Sequence, residues 1–419
     1  MQKNAPRRVA VTGYGALCSL GNNSGEIWDS IVDYKIGYQQ ESFGDPSIVA
    51  KFFGFMRDKP PRKGIPKAIL KFLPEFARLG MTAANEALTM AFGDDFCLDD
   101  VYDPFDRGVI FGTGWGGQDE STIENTSYRA EGMASPFCNL LVMPNVATAA
   151  MSMHWNLRGY QNTPVAACAT GSIAVGDAFE IIRSGRAKIM LAGGGESIRE
   201  DFCVWSIDAL RALSKEQDTP EKACCPFSAD RSGFVLSEGA AVVCLEDLES
   251  ARTRGARILG EVIGYGNYSD ARDITSPAED LLARTRTIRT ACAQAGLAPE
   301  DIDYINAHGT STPLNDINET KALKLALGDA AYRIPTSSTK SYTGHLIAAA
   351  GALESIFCLK TLETGLMPAT IHLNNPDPEC DLDFIPNVHR RKEGIRHVLN
   401  VNYGFGGSNS ALVFAKVMQ

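Results

Sequence analysis

The sequence lacks an apolar run long enough to cross a membrane. None of the uninterrupted hydrophobic stretches in its 419 residues approaches the roughly 20 residues that span a bilayer. The basic residues near the N-terminus lead directly into a short predicted strand, without the apolar region of a signal peptide. We therefore expect a cytoplasmic protein that does not bind a membrane.

Paired-cysteine spacing and an excess of positive charge are also missing. The eleven cysteines are an odd number and are scattered, with Cys224 and Cys225 as the only close pair, so neither a disulfide framework nor a zinc site is predicted. This pattern is typical of a reducing compartment. The balance of 40 basic and 50 acidic residues gives a net charge of −10, which argues against a general nucleic-acid-binding protein.

Short β-branched runs alternate with longer helical stretches along the chain, and this alternation predicts an α/β layered fold. The runs are 9–12, 107–111, 189–192, 240–245, 302–306 and 398–401. Residues 37–66 form the least regular stretch, which we interpret as a surface excursion. No low-complexity segment or linker is visible.

One cysteine and two histidines lie in small, glycine-rich settings. Cys168 follows the apolar run Val165–Ala167 and precedes a helical stretch that begins near Gly171, which predicts a strand-to-helix elbow where backbone dipoles favour a thiolate. His308 and His345 each have a glycine beside them. The sequence therefore predicts a nucleophilic thiol with two imidazoles behind it.

Two helical stretches are similar to each other. Residues 174–182 and 349–357 each combine small residues, a glycine and an apolar stripe, and each follows one of the proposed catalytic residues. By pattern alone this similarity could be chance. The small residues suit close packing of two helices at the centre of a fold.

The run Gly112–Gly117 fits the G-x-G-x-x-G pattern of a dinucleotide-binding turn. Its context does not fit, because Trp115 would crowd the approach of a pyrophosphate and no clean βα unit with a terminal acid follows. We therefore do not predict a dinucleotide cofactor.

Together the motifs around Cys168, His308 and His345 resemble those of the β-ketoacyl-acyl-carrier-protein synthases, the elongating Cys-His-His enzymes of the thiolase superfamily. The resemblance continues through residues 8–15, 230–239, 275–277 and 402–409. It implies a five-layered α-β-α-β-α body built from two duplicated halves, residues 1–254 with Cys168 and residues 255–419 with both histidines.

The resemblance also implies a reaction, a decarboxylating Claisen condensation that uses no metal or redox cofactor. Cys168 would hold an acyl group taken from the phosphopantetheine of an acyl carrier protein. His308 and His345 would then donate hydrogen bonds from Nε2 to the oxygen of a malonyl thioester and assist loss of CO₂. Lys340 and Glu354 match the two charged positions that order such a site.

Further residues take roles by the same resemblance. Thr310 and Thr312 would contact pantetheine, while the backbone N–H groups of Cys168 and Phe405 would form an oxyanion hole, with Phe405 as the gate of the acyl pocket. Asn306, Asp316 and Glu319 match positions that complete the network or brace the threonine loop. Asn402–Tyr403 replaces the commoner Asn-Ser-Phe lead-in.

The resemblance also points to residues of the acyl pocket and of the carrier-docking surface. Trp115 stands where a smaller residue is usual and should shorten or reshape the pocket, whereas Cys138 stands where an aromatic is common. A basic cluster that could meet an acidic carrier contains Lys59, Arg62, Lys63, Lys67 and Lys71, and Arg211 is assigned to the same surface. The cluster could equally be a solvated basic face.

Several alternatives remain open. The same reaction could serve fatty acid synthesis or a type II polyketide or polyene pathway, in a homodimer or with a homologous subunit that lacks the cysteine. A thiolase would need a second active-site cysteine, which residues 402–409 do not contain, and a starter-type synthase would have asparagine at His345. A chain-length or scaffold subunit is disfavoured by the intact Cys168.

Overall fold

The computed structural model describes residues 6–57 and 64–417. The strands are β1 (Val9–Cys18), β2 (Gln39–Gln40), β3 (Phe52–Gly54), β4 (Arg107–Gly112), β5 (Gln161–Asn162), β6 (Ile189–Glu196), β7 (Leu236–Ser237), β8 (Gly239–Asp247), β9 (Gly260–Ser269), β10 (Tyr304–Asn306), β11 (Thr336–Ser337), β12 (Leu366–Met367), β13 (Arg390–Arg391), β14 (His397–Gly404) and β15 (Ser408–Ala415). The helices are α1 (Ser24–Val32), α2 (Lys67–Leu70), α3 (Glu75–Phe92), α4 (Gln118–Glu131), α5 (Cys138–Leu141), α6 (Val146–His154), α7 (Thr170–Arg183), α8 (Asp201–Ala209), α9 (Pro220–Ala223), α10 (Leu248–Thr253), α11 (Leu282–Ala295), α12 (Pro313–Leu327), α13 (Lys340–Thr343) and α14 (Ala350–Thr364).

The main sheet consists of two halves with the same strand order. One half runs β5-β4-β6-β8-β1 and the other β11-β10-β14-β15-β9, so that each places its own first to fifth strands in the order 3-2-4-5-1. In each half the fifth strand, β8 or β15, runs antiparallel to the other four strands of that half. The halves join where β1 pairs with β9. The predicted duplication is therefore confirmed.

The helices complete the five layers of the predicted body. On one outer face α3 packs on β1 and β8 and α6 packs on β4, while on the opposite outer face α11 packs on β9 and β15 with α12 beside it. In the centre α7 packs on β4 and β6, α14 packs on β14, and the two helices contact each other. The predicted boundary between residues 254 and 255 falls between α10 and β9, and it stays a prediction.

The two central helices meet at glycine. A Cβ atom on Gly171 would lie 2.7 Å from the carbonyl oxygen of Ala348, and one on Gly351 would lie 2.7 Å from the backbone nitrogen of Ser172. These positions therefore admit no larger side chain without displacement of a backbone. The approach brings the N-terminal ends of α7 and α14, and the residues before them, close together.

Two expectations about local structure were wrong. Residues 37–66 are not a surface excursion, because β3 is fully buried and pairs with β7, and the Phe43, Phe53 and Phe55 rings contact one another in the core. Residues 58–63 of that segment lie outside the described residues. Burial there follows from these aromatic residues, which pack in one apolar cluster.

The second error concerns the residues before Cys168, which form no strand. β5 ends at Asn162, and the Ala166 N–H donates to the Thr170 Oγ1 at 2.8 Å instead of to a neighbouring strand. Elsewhere the predicted strands are present, although β10 starts only at Tyr304. All eleven cysteines are unpaired, and within the described ranges no helix has the length and apolar character needed to cross a membrane.

Candidate active site

Cys168 lies in a tight 3₁₀ turn, Ala167–Ala169, directly before α7. Ala167 has a φ of 47°, and Ile347 in the matching turn before α14 has a φ of 50°, so the duplicated halves repeat this turn. Burial raises the pKa of the Cys168 thiol to about 12, although the Lys340 charge and the N–H groups of Phe405 and Cys168 itself act to lower it. The resting thiol is therefore protonated, because burial outweighs the dipoles of the turn.

The three residues singled out in the sequence lie together. The Cys168 sulphur and one ring nitrogen each of His308 and His345 lie within 4.8 Å of one another, and all three side chains are buried. The two imidazole rings are nearly perpendicular, with centroids 5.4 Å apart. The site thus brings one thiol from the first half of the chain to two imidazoles from the second.

Hydrogen bonds set the same tautomer on both imidazoles. The Ile347 N–H donates to Nδ1 of His345 at 3.2 Å, and Lys340 Nζ lies 3.3 Å from Nδ1 of His308 and can only donate to it. Burial and the Lys340 charge hold both imidazole pKa values well below their usual value. Each ring is therefore neutral and carries its proton on Nε2, and the Nε2 of His345 is buried without a partner.

A buried ion pair supports His308. Lys340 Nζ lies 2.5 Å from Glu354 Oε1 and also donates to the His308 carbonyl oxygen at 2.7 Å. The second oxygen of Glu354 accepts a hydrogen bond of 2.5 Å from Asn402. Asn402 was noted in the sequence only as part of an unusual lead-in, so its place in this network comes from the structure.

Two buried carboxylates hold the loop that carries His308. Glu319 accepts the backbone N–H groups of His308 and Gly309, both at 2.7 Å, and Asp316 accepts that of Thr310 at 3.1 Å. Burial raises the pKa of Glu319 to about 7. The other residue matched in the sequence, Asn306, donates to Thr339 at 3.3 Å. Glu319 and Asp316 therefore fix the position of the loop that carries His308.

The three central residues open into a cavity of about 390 Å³, a size typical of ligand sites. Its lining includes Cys168, Phe234, Arg284, His308, Thr310, Thr312, His345, Tyr403 and Phe405, with the exposed Arg211 also on its wall. The Thr310 and Thr312 hydroxyls lie 2.9 Å apart. Phe405 is half-buried in the 3₁₀ turn Phe405–Gly407, where Gly406 has a φ of 79°.

Other predicted residues lie away from this cavity. Trp115 lines a second cavity of about 230 Å³, and it packs on the apolar cluster that contains Cys168. Cys138 begins α5 and lines neither cavity in the single chain. Lys67 and Lys71 are exposed at α2 and line neither cavity, and Lys63, like Lys59 and Arg62, lies outside the described residues.

The glycine-rich run Gly112–Gly117 binds a carboxylate of its own chain. The Gly114 N–H donates to Glu196 Oε2 at 2.7 Å, and the Thr113 hydroxyl donates to Oε1 at 3.0 Å. Burial raises the pKa of Glu196 to about 7. Glu196, which the sequence analysis did not identify, therefore occupies the amide donors that a pyrophosphate would need.

Cys168, His308 and His345 are also the one group of potential metal ligands found in the described part of the chain. The Lys340 ammonium contacts His308 at 3.3 Å and would repel a cation bound there. The donor set is better suited to hydrogen bonding an oxygen.

Comparisons with known protein families place the whole chain in one group. The model described as "Beta-ketoacyl synthase, N-terminal domain" matches residues 6–251, and the one described as "Beta-ketoacyl synthase, C-terminal domain" matches residues 259–374. A curated relative from Synechocystis sp., 3-oxoacyl-[acyl-carrier-protein] synthase 2, is 38% identical over 417 residues, which cover 98% of each chain.

Solved structures give the same grouping. A ketosynthase in the complex AntDE:AntF, described as a type II PKS acyl-carrier protein with its ketosynthase bound to the hexaketide, superposes with a TM-score of 0.89 at 33% identity, over 99% of this chain and 100% of that one. The ishigamide ketosynthase/chain length factor superposes with a TM-score of 0.89 at 29% identity, with the same coverage.

Proposed function

The chain belongs to the β-ketoacyl synthase family, and we propose that it condenses an acyl group on Cys168 with malonyl-acyl-carrier protein. The products are 3-oxoacyl-carrier protein, CO₂ and the free thiol. The observation that carries this proposal is the placement of two neutral imidazoles, each with its proton on Nε2, within 4.8 Å of the Cys168 sulphur. The enzyme is accordingly an acyltransferase.

The first step moves the acyl group from the carrier to the enzyme. Cys168 attacks the thioester carbonyl, the bond to the carrier sulphur breaks, and the thiol proton leaves with the carrier thiol. The N–H groups of Cys168 and Phe405 already contact the Cys168 sulphur. Their position beside the sulphur supports the proposal that they form the oxyanion hole of the tetrahedral intermediate.

The second step makes the carbon–carbon bond. The Nε2–H groups of His308 and His345 donate to the malonyl thioester oxygen, the carboxylate leaves as CO₂, and its electron pair remains as an enolate. The enolate carbon attacks the acyl carbonyl, the bond to the Cys168 sulphur breaks, and one proton is taken up overall. Decarboxylation supplies the carbon nucleophile, so the reaction needs no metal or redox cofactor.

The pantetheine arm and the acyl chain of the substrate occupy different parts of the site. The pantetheine arm lies against Thr310 and Thr312, which line the cavity, and Arg211 on its wall meets the acidic carrier. Lys67 and Lys71, exposed at α2 outside the cavity, belong to the same proposed docking surface. The acyl chain passes the Phe405 turn towards the apolar cluster on which Trp115 packs. We propose that Trp115 shortens or reshapes the acyl pocket from its place on this cluster.

A homologous subunit completes the enzyme. β5 is an exposed edge strand of the main sheet, and unpaired edges favour pairing with another chain. Large apolar side chains are exposed in the stretch of chain before and after it, namely Met133, Leu140, Met153 and Val165. Light scattering distinguishes a homodimer from a chain that needs a cysteine-free homologue, as a type II polyketide or polyene ketosynthase would.

Intact-mass measurement of acyl transfer tests the proposed function. Wild type, Cys168→Ala and the control Cys97→Ala, which removes an exposed thiol, are incubated with acyl carriers of graded length and then with malonyl-carrier. Wild type and the control gain the acyl mass and release it as 3-oxoacyl-carrier, whereas Cys168→Ala gains none. Absence of loading on wild type by every chain length contradicts a stand-alone condensing enzyme.

A further inference from the structure

Arg284 is a buried cation without an ion pair. It lies in the first turn of α11, is 5% exposed, and donates to Oδ1 of Asn315 at 3.1 Å. Its Nε is buried without a hydrogen-bond partner, and none of the ion pairs found in residues 6–57 and 64–417 includes it. Burial lowers its pKa, but a guanidinium remains charged in proteins. Such a charge is costly unless something compensates it.

Tyr403 connects this cation to the catalytic histidines. The Arg284 guanidinium lies over the Tyr403 ring at 3.9 Å from its centroid, and the same ring lies 5.6 Å from the His308 ring. The Tyr403 hydroxyl is also buried without a partner. Both side chains line the cavity that contains Cys168. The Tyr403 ring therefore contacts both the unpaired guanidinium of Arg284 and the catalytic imidazole of His308.

The neighbouring carboxylates are engaged elsewhere. Glu319 accepts the His308 and Gly309 N–H groups, and Asp316 contacts Arg231 and the backbone. Asp270 accepts hydrogen bonds from Asn409 and from the backbone of Ala278. The charges of these carboxylates favour the charged form of Arg284, but none of the carboxylates lies within 4 Å of the guanidinium, the limit for an ion pair. The guanidinium is thus available to an anion that enters the cavity.

We propose that Arg284, held by Tyr403 and Asn315, binds the free carboxylate of the malonyl group while His308 and His345 bind its thioester oxygen. The proposal rests on the proposed function and deepens it, since it names how the site recognises its extender. In a malonyl thioester a single CH₂ separates the carboxylate from the thioester carbonyl. The other anion of the substrate, the phosphate, lies at the far end of the pantetheine arm.

The contact acts on binding more than on the chemical step. The carboxylate loses its negative charge as CO₂ leaves, so Arg284 stabilises the bound substrate more than the transition state. A hydrogen bond to a charged group contributes enough that its loss weakens binding by about tenfold to a hundredfold. Arg284→Gln should therefore raise KM for malonyl-carrier by about that factor and leave kcat unchanged or higher.

Binding of two carrier conjugates tests the proposal directly. In a Cys168→Ala background, carriers are loaded with malonyl or acetyl groups through an amide in place of the thioester, so that the malonyl probe differs by its carboxylate. We expect Cys168→Ala to bind the malonyl conjugate about tenfold or more tightly than the acetyl conjugate. Adding Arg284→Gln should abolish this preference by weakening binding of the malonyl conjugate and not of the acetyl conjugate. Arg286→Gln removes an exposed charge from the same helix and should keep the preference.

The outcomes separate this proposal from the general function. Equal loss of affinity for both conjugates, or an unchanged preference, would overturn the carboxylate contact and leave Arg284 a structural residue. Tyr403→Phe keeps the ring under the guanidinium and should keep most of the preference. Acyl loading of Cys168, measured on the same Arg284→Gln substitution with the thiol intact, reports the proposed function and should not change.

Discussion

Replacing Lys340 with methionine removes a buried charge while keeping a side chain of similar length. Lys340 is 1% exposed and Glu354 3%, so the substitution leaves a buried carboxylate with Asn402 as its remaining hydrogen-bond partner. Breaking one side of such a pair costs about 3–5 kcal/mol. With an unfolding entropy of about 0.9 kcal/mol/K for 419 residues, the Tm should fall by about 3–6 °C.

The loss of stability caused by Lys340→Met should depend on pH and should be larger at high pH. Burial already raises the pKa of Glu354, and loss of the Lys340 charge raises it further. The folded variant then binds a proton that the unfolded chain, with a glutamate pKa of about 4.3, releases. Stability therefore falls as the pH rises from this value through the folded pKa. The Tm difference from wild type should be smaller at pH 5.5 than at pH 8.

The double variant Lys340→Met/Glu354→Gln separates stability from catalysis. It removes the stranded carboxylate, so scanning calorimetry should show most of the lost Tm restored. Condensation should stay at least about tenfold below wild type, because His308 Nδ1 has lost its charged donor and the Nε2 proton is no longer fixed. A single variant as stable as wild type at pH 8, or a double variant with wild-type activity, would refute this reasoning.

Two further predictions follow from the same geometry. Because burial raises the pKa of Cys168 to about 12, the rate at which iodoacetamide alkylates this thiol should rise about tenfold per pH unit from pH 6 to 9. Peptide mass measures the alkylation, and a rate that reaches a plateau near neutral pH would contradict the prediction. Gly351→Ala places a methyl group 2.7 Å from the Ser172 backbone nitrogen. This overpacking should cost about 1–3 kcal/mol of stability, which corresponds to a fall of about 1–3 °C in the Tm measured by calorimetry. An unchanged Tm would show that α7 and α14 can move apart without cost.

The sequence was sufficient for much of the fold and for the central triad. Strands such as β4, β6 and β8 are short β-branched or small-residue runs that alternate with longer helical stretches, and this alternation identifies them. The similar stretches in α7 and α14 are the two central helices of the duplicated body. Cys168, His308 and His345 are recognisable because glycine and small residues surround each of them. These features are local, so a linear pattern contains them.

Features that depend on burial could not be predicted in this way. Residues 37–66 contain no periodic pattern, yet their aromatic residues pack beside the nucleophile. Glu196 and Arg284 carry charges that a sequence pattern assigns to the surface, and only the packed fold shows them buried. The thiol illustrates the same limit, because the elbow at the start of α7 suggests a low pKa whereas enclosure in the core raises it.

The raised thiol pKa and the neutral imidazoles together suit an enzyme that must hold an acyl group until its partner arrives. A thiol of high pKa is a slow leaving group, so acyl-Cys168 resists premature transfer. On the proposals made above, the charge needed for condensation enters with the malonyl group, whose carboxylate would meet Arg284 and whose enolate would meet the two Nε2–H donors. The two Nε2–H groups would then stabilise the enolate charge, which develops only as CO₂ leaves.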